Sequence, residues 1–185
     1  SGERPVVSFV TSHRRKDGSL YPVEVRLQLS SAAQPPVFIA IVQDITERQR
    51  AEEQLRLRDC ALVSSIDAVM ITRTTGEGQR IVYVNPAFER ITGYASSEAV
   101  GRDPGFLHGN DRAQSGLDAL RAAVREEREA TALLRNYRKD GALFWNELRI
   151  APVRDEASRM THFVGISSDV TERVEAQEKL QAFAA

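Results

Sequence analysis

The 185-residue chain holds a single cysteine, Cys60, so no disulfide can close within it. Three histidines, His13, His108 and His162, have no cysteine or carboxylate spacing that suits a metal, and no metal site is expected. No apolar run approaches the ~18–20 residues of a membrane span, and no secretory leader opens the sequence. An excess of one charge is missing too: 25 basic against 26 acidic side chains leave a net charge of −1. Nucleic acid and anionic membrane are therefore not expected as partners through bulk electrostatics. Ser-His-Asp order, a Gly-rich phosphate loop and paired acids in a pocket context are all lacking, so no catalytic residue is assigned. The lone thiol suits a reducing cytoplasm, and Cys60 reads as a small buried hydrophobe. What remains, 42% apolar and 28% charged residues, suffices for one good core plus helical connectors.

Three β-type runs stand out, Thr131–Tyr137, Ala142–Pro152 and Met160–Ser168, cut apart at Asp140-Gly141 and Arg154–Arg159. Asp-Gly between alternating runs is a strong hairpin signal, because Gly accepts the positive φ of a tight turn. An antiparallel meander follows, with Leu134, Phe144, Leu148, Ile150, Phe163 and Ile166 as its apolar positions. Asn136, Asn146 and Ser167 are polar interruptions. They either line a small-ligand pocket or mark exposed strand ends, and spacing alone does not choose. Trp145 alternates to the face opposite Phe144 and Asn146.

The same pattern occurs earlier. His13–Ser30 and Val37–Arg56 repeat Asn136–Val153 and His162–Gln181, offset by 123 residues at Asp17/Asp140 and by 125 at Asp44/Asp169. The repeating unit is therefore of domain size, with one copy complete and only the back half of another present. Such a chain reads as a segment of a longer protein.

In chain order, Val6–Ser12, Leu20–Ser30 and Pro36–Gln43 are predicted strands. Alone they would show Phe9, Val23, Val25, Leu27, Phe38 and Ile41 to water, so a cover, such as a second copy, is expected. From Thr46 to Ser65 the pattern is helical, with Thr46 as N-cap and Ala51, Leu55, Arg58 and Leu62 on one face. That stripe pairs with a second helix or lies on its own domain; its recurrence in Thr171–Ala185, with Ala176, Leu180 and Phe183, favours pairing. The complete copy opens with a strand at Asp67–Arg73, a turn at Thr74–Gln79 and a strand at Arg80–Val84. Asn85-Pro86 then starts a helix that stops at Gly93. Ser96–Val100 is a short helical turn, and Asp111–Arg128 a longer helix with Leu117, Leu120, Ala123 and Val124 inward.

These residues carry a family resemblance. The Arg-Lys-Asp-Gly turns and the closing Asp-Ile-Thr-Glu-Arg and Asp-Val-Thr-Glu-Arg resemble the back half of PAS sensor domains. Tyr83–Tyr94 (YVNPAFERITGY), Gly101–Gly109 (GRDPGFLHG) and Asn136–Asn146 (NYRKDGALFWN) resemble the flavin-binding light-oxygen-voltage subfamily. The resemblance implies an α+β PAS fold, a five-stranded antiparallel sheet with helices on one face and flanking amphipathic linker helices. It implies four segments: residues 1–45 as the back half of a preceding PAS domain, 46–65 as a linker helix, 66–170 as the complete domain and 171–185 as an output linker.

Laid on the family pattern, Asn136 and Asn146 fall on the two amides at the flavin ring edge, Arg121 on a phosphate-binding Arg, and Phe106 and Leu107 on apolar pocket positions. Departures are as telling. Pro104 stands where the family has its light-reactive Cys, Asp103 at an Asn, Gly105 at a second phosphate Arg, His108 at a Gln, and Ser167 at the Gln that reads the ring. The implied cofactor is FMN or FAD, or none, and a flavin–cysteine bond is excluded at Pro104. The implied function is a sensory module, homodimeric through sheet and linker helices, signalling to an output domain in the same protein. The connector Thr171–Ala185 resembles those before diguanylate cyclase (GGDEF) domains, with histidine kinase the second choice. Alternatives are a flavin redox or light sensor without cysteine chemistry, and a ligand-free dimerisation adaptor.

Overall fold

The computed structural model describes residues 6–30, 35–76 and 78–183. The expected turn residue Glu77 and the last two residues of the expected final helix lie outside them. The chain divides into two compact units, residues 1–59 and 60–185.

In the first unit, β1 (Val6–Arg14), β2 (Leu20–Ser30) and β3 (Val37–Asp44) form an antiparallel sheet in that order. Gly18 has the positive φ its Asp-Gly turn demands, and the Asp17 carboxylate accepts the Ser19 amide at 2.9 Å. Phe9, Phe38 and Ile41 are exposed as expected, but Val23 and Val25 are buried. Leu29 on the same central strand is exposed, so the burial is confined to the end of β2 where Ile45, itself buried, bonds the Pro22 carbonyl at 3.1 Å.

Helix α1 (Thr46–Ser64) follows. Its cap differs from the reading above: Thr46 is the first helical residue, and Asp44 takes the capping role by accepting the Thr46 amide at 2.9 Å and its hydroxyl at 2.5 Å. No residue of α1 is buried, Cys60 is exposed instead of packed, and the expected amphipathic stripe is weak. The periodicity that places Cys60 near apolar neighbours finds no wall to bury them against.

The second unit holds β4 (Ala68–Thr75), β5 (Gly78–Val84), α2 (Pro86–Thr92), α3 (Ser96–Ala99), a 3-10 turn (Pro104–His108), α4 (Ser115–Arg125), β6 (Ala130–Tyr137), β7 (Leu143–Arg154), β8 (Met160–Asp169) and α5 (Thr171–Phe183). Its five strands are antiparallel in the order β5-β4-β8-β7-β6, an α+β fold. Alternation decides the faces. Ala132, Leu134 and Asn136 on β6, Phe144, Asn146 and Ile150 on β7, and Phe163 on β8 are buried. Leu133, Leu143 and Ile166 are exposed on the other side.

Helix α2 packs on β4 and α4 on β6. Two apolar clusters result, one around Met70, Ile81, Phe88 and Leu107, the other joining Leu117, Leu120 and Ala123 of α4 to Leu134, Ile150 and Phe163. Burying side chains of this size contributes roughly 1.5–3 kcal/mol each before conformational entropy is subtracted. Asn85 caps α2 through its side-chain oxygen, Pro86 opens it and Gly93 closes it at φ 76°, the arrangement its sequence predicts. Helix α4 is shorter than the predicted Asp111–Arg128. Gln114 is drawn to β6 instead, its Nε2 donating to Asp111 and Arg135 carbonyls and its Oε1 accepting the Arg135 amide at 2.7 Å. At the other end Glu127 adopts φ 49°, which breaks the helix. The β4–β5 turn is also tighter than expected, since the strands run to Thr75 and from Gly78 and Thr72 bonds Gln79 across them.

Candidate functional site

Between the sheet and the helical layer of the second unit lies a cavity of about 780 Å³. Ligand sites are typically ~300–1,000 Å³, mostly apolar, with few convergent polar groups. Met70, Leu148, Ile150, Phe163 and Gly165 contribute from the sheet and Leu117, Leu120 and Val124 from α4. The loop between Gly101 and Gly109, which both adopt positive φ, supplies Asp103, Pro104, Gly105, Phe106 and His108.

Of the eight candidate residues, Asp103, Phe106, His108 and Arg121 line this cavity. Asp103 caps the 3-10 turn, its carboxylate accepting the Gly105 amide at 2.7 Å. Arg121 pairs with Asp118 on its own helix at 3.0 Å and is exposed. Leu107 points into the apolar cluster around Phe88 and not into the cavity. Asn136, Asn146 and Ser167 are not on the cavity wall; Asn136 is bonded to the wall residue His108, and Asn146 to Ser167. Asn136 Oδ1 lies 3.2 Å from His108 Nδ1, and Asn146 Nδ2 donates to Ser167 Oγ at 3.2 Å. Both Asn side chains are 1% exposed, so they are not strand-end ornaments. Asn146 Oδ1 is the one buried side-chain polar atom, among the described residues, with no hydrogen-bond partner.

Burial pushes the His108 imidazole below its ordinary 6.5, against the Asn136 bond and Asp103, with Arg121 and Arg112 adding to the depression. The neutral ring donates from Nδ1 to Asn136 Oδ1, since an amide oxygen can only accept. As pH falls through 6.5 the unfolded chain takes up this proton first, so stability is lost from there down to the folded-state value. Urea midpoints from neutral to mildly acid pH should therefore decline in the wild-type chain and decline less in His108→Gln.

The sheet is joined to α5 at one corner. Arg138 lies over Phe144 at 4.7 Å, pairs with Asp169 at 2.5 Å and donates to the Ile91 carbonyl. Asp169 in turn accepts the Thr171 amide at 3.0 Å and its hydroxyl at 2.6 Å. Thr171 Oγ also accepts the Trp145 amide at 3.0 Å, and the Trp145 carbonyl accepts the Val170 amide at 2.8 Å. The first unit repeats the Arg–aromatic–Asp part of this device with Arg15, Tyr21, Asp44 and Thr46.

Thr72, Gln79, Arg102 and Arg112 also put polar groups on the wall, and the sequence pattern singles out none of them; for Thr72 a signal exists, since it alternates with Ala68 and Met70 on β4.

The family model for the PAS domain matches residues 1–47 and 66–172. The chain belongs to the PAS domain family. It is a sensory module of the kind carried by signalling proteins, and its likeness is to light-oxygen-voltage members. The blue-light photoreceptor of Listeria monocytogenes serovar 1/2a is 42% identical over 121 residues, covering 65% of this chain and 47% of that protein. A blue-light-activated histidine kinase of Brucella canis is 37% identical over 103 residues, covering 56% of this chain and 21% of that one. A solved light-oxygen-voltage domain, studied with a flavin analogue, superposes with a TM-score of 0.58 at 31% identity, covering 68% of this PAS chain and 94% of that one. The chain thus spans less than half the length of these two curated relatives. No helix among the described residues is long and apolar enough to cross a membrane.

Proposed function

We propose that this PAS module binds a flavin, FMN or FAD, and senses light or redox state without cysteine chemistry. The observation that supports it most is the buried, unpartnered Asn146 Oδ1. An orphaned buried acceptor costs the ligand-free chain about 1–3 kcal/mol, and the imide N–H of a flavin ring is a donor suited to relieve it. Asn136 and Asn146 would hold the polar ring edge, Leu148 and Phe163 the ring faces, and Arg121 the phosphate; Phe106, Asp103, His108, Leu107 and Ser167 would shape the surroundings. When bound, a flavin supplies blue absorption and reversible electron uptake. Pro104 brings no thiol to the cavity, and Cys60 is exposed on α1.

The response would leave through β7. Asn146 is the neighbour of Trp145, whose amide and carbonyl hold Thr171 and Val170. A change in hydrogen bonding at Asn146 is therefore one residue from the first turn of α5. An output domain in the same protein would receive it; the Brucella relative favours a histidine kinase, while the diguanylate cyclase rests on the connector alone. Exposed Leu133, Leu143 and Ile166 on the outer sheet face, with Leu55 and Leu180 on the linker helices, support a homodimer. Residues 1–45 belong to a second unit of the same kind. Phe38 occupies the position of Phe163, yet it is 74% exposed where Phe163 is 2% exposed, so its sheet face takes a cover of its own.

Purified chain supplied with FMN or FAD should acquire flavin absorbance in the blue; protein that stays colourless would sink the reading. Asn146→Leu should lower flavin affinity roughly 10- to 100-fold while leaving the ligand-free chain as stable or more stable, because it removes the orphaned oxygen.

A further inference from the structure

Each of the two buried amides, on one face of adjacent strands, is held at one end by a neighbour. Asn146 Nδ2 donates to Ser167 Oγ at 3.2 Å, which leaves Oδ1 as the unpartnered end. Asn136 Oδ1 lies 3.2 Å from His108 Nδ1, while Asn136 Nδ2 makes no hydrogen bond with any described residue. While both neighbours hold, the pair offers a ligand an N–H donor from Asn136 and an acceptor on Asn146. A turned Asn136 amide would offer a second acceptor instead, and a ring edge with one donor and one acceptor would meet a mismatch. The polarity of the pair therefore depends on what grips Asn136.

His108 is placed for that grip. It ends the 3-10 turn, its carbonyl accepts the Asp111 amide at 2.9 Å, and its half-buried ring is on the cavity wall. With Nδ1–H given to Asn136, neutral Nε2 is a bare acceptor; protonation adds a second N–H and a charge in a mostly apolar wall. Asp103 on the same turn favours that proton, while Arg112 on the next loop and Arg121 of α4 oppose it. Asp111 senses the ring in turn, and Arg102 on the same wall lies over Phe106 at 3.9 Å. Strand β6 meets the ring with the neutral Asn136, and β5 shares the wall through the neutral Gln79. An uncharged ligand filling the cavity strips remaining water from the ring and so binds its neutral form better.

We propose that His108 is a positioning residue for ligand recognition, which holds the Asn136 amide with Nδ2 toward the ligand and, on taking up a proton, weakens the binding of an uncharged flavin. This rests on the flavin reading above and goes beyond it by assigning the group that sets the polarity of the amide pair.

The first test needs no ligand. Nitrogen NMR of the imidazoles in the purified chain at neutral pH should show His108 protonated at Nδ1, and the form protonated at Nε2 would overturn the assignment. The second is a titration with riboflavin, which carries no phosphate charge, and with FMN, for wild type, His108→Gln and His108→Leu, with urea midpoints taken alongside. His108→Leu frees the amide to turn and should lose about tenfold in affinity for both ligands at neutral pH. Glutamine carries an N–H for Asn136 and does not titrate, so His108→Gln should recover most of that loss. From neutral to mildly acid pH, riboflavin binding by wild type should weaken about threefold or more, and that of His108→Gln should stay level. A leucine variant that binds as wild type, a glutamine variant as weak as the leucine one, or equal pH profiles for wild type and His108→Gln would each overturn the proposal and leave the flavin reading intact. Should His108→Leu fail to fold, the glutamine pH profile and the tautomer decide. Wild-type chain that binds none of riboflavin, FMN and FAD overturns the flavin reading and the proposal with it.

Discussion

Replacing Asn85 by alanine is expected to cost about 3 kcal/mol and to lower the melting temperature of the unit formed by residues 60–185 by roughly 10 °C. The side chain is 1% exposed and uses both ends. Its oxygen accepts the Val69 amide at 2.9 Å and the Phe88 amide at 3.1 Å, while its nitrogen donates to the Leu62 carbonyl at 3.0 Å and the Asp67 carbonyl at 3.1 Å. Alanine strands the buried Val69 amide, leaves the Phe88 amide only its backbone bond to the Asn85 carbonyl, and so removes the side-chain cap of α2, and each loss costs of order 1 kcal/mol or more. Asn85→Asp is a sharper variant. It keeps the acceptor but turns an oxygen toward two carbonyls, so it should destabilise nearly as much at neutral pH and recover in part when the carboxyl is protonated. Urea denaturation of both variants checks this, and amide exchange in the last turn of α1 should quicken, because the Leu62 carbonyl loses its tie. An Asn85→Ala protein with an unchanged midpoint would mean that water replaces the amide at little cost.

Gly116→Ala is the second large effect, and two forces oppose each other there. Alanine is the better helix former by up to ~1 kcal/mol, less in a first turn. A Cβ on Gly116 would, however, meet Leu134 Cδ2 at 2.8 Å, the Leu133 carbonyl oxygen at 2.9 Å and Ala132 Cβ at 3.2 Å. The carbonyl cannot retreat freely, since Leu133 is paired with Glu147 across β6 and β7, and Leu134 is fully buried. Overpacking of this kind typically costs ~1–3 kcal/mol, so sterics win and α4 must lift from the sheet. Because α4 carries Leu117, Leu120, Arg121 and Val124 on the cavity wall, the variant should lose both stability and flavin affinity. Gly105→Ala offers a contrast. Its Cβ would meet the Asp103 carboxylate at 2.8 Å, which as an exposed side chain can move aside, and His108 Cδ2 at an ordinary contact distance of 3.8 Å. Paired urea midpoints for the two variants would separate these cases, and equal midpoints would contradict the packing account.

The elements most legible in the sequence are those whose cause lies within a few residues. The Asp17-Gly18 and Asp140-Gly141 turns, the Asn85-Pro86 start and Gly93 stop of α2, and the alternation of β6 to β8 all appear as read. A side chain bonding an amide two or three residues away is local chemistry, and the unfolded chain already contains it. Legibility fails where a residue answers to a distant one. Gln114 forgoes the helix for a backbone 21 residues on, which moved the start of α4, and Cys60 found no surface to bury it.

The candidate site divides along the same line. Sequence by itself determined that Asn136 and Asn146 stand on one face of adjacent strands, because a two-residue period and an Asp-Gly turn leave no other register. It also determined that no thiol stands at Pro104. Only the tertiary structure decided that Asn146 keeps an unpaired oxygen, that His108 reaches Asn136, that Arg112 lines the cavity beside Arg121, and that Thr171 is bonded to Trp145. Those contacts depend on how the helical layer settles against the sheet, a balance of many apolar contacts that no single stretch of residues encodes.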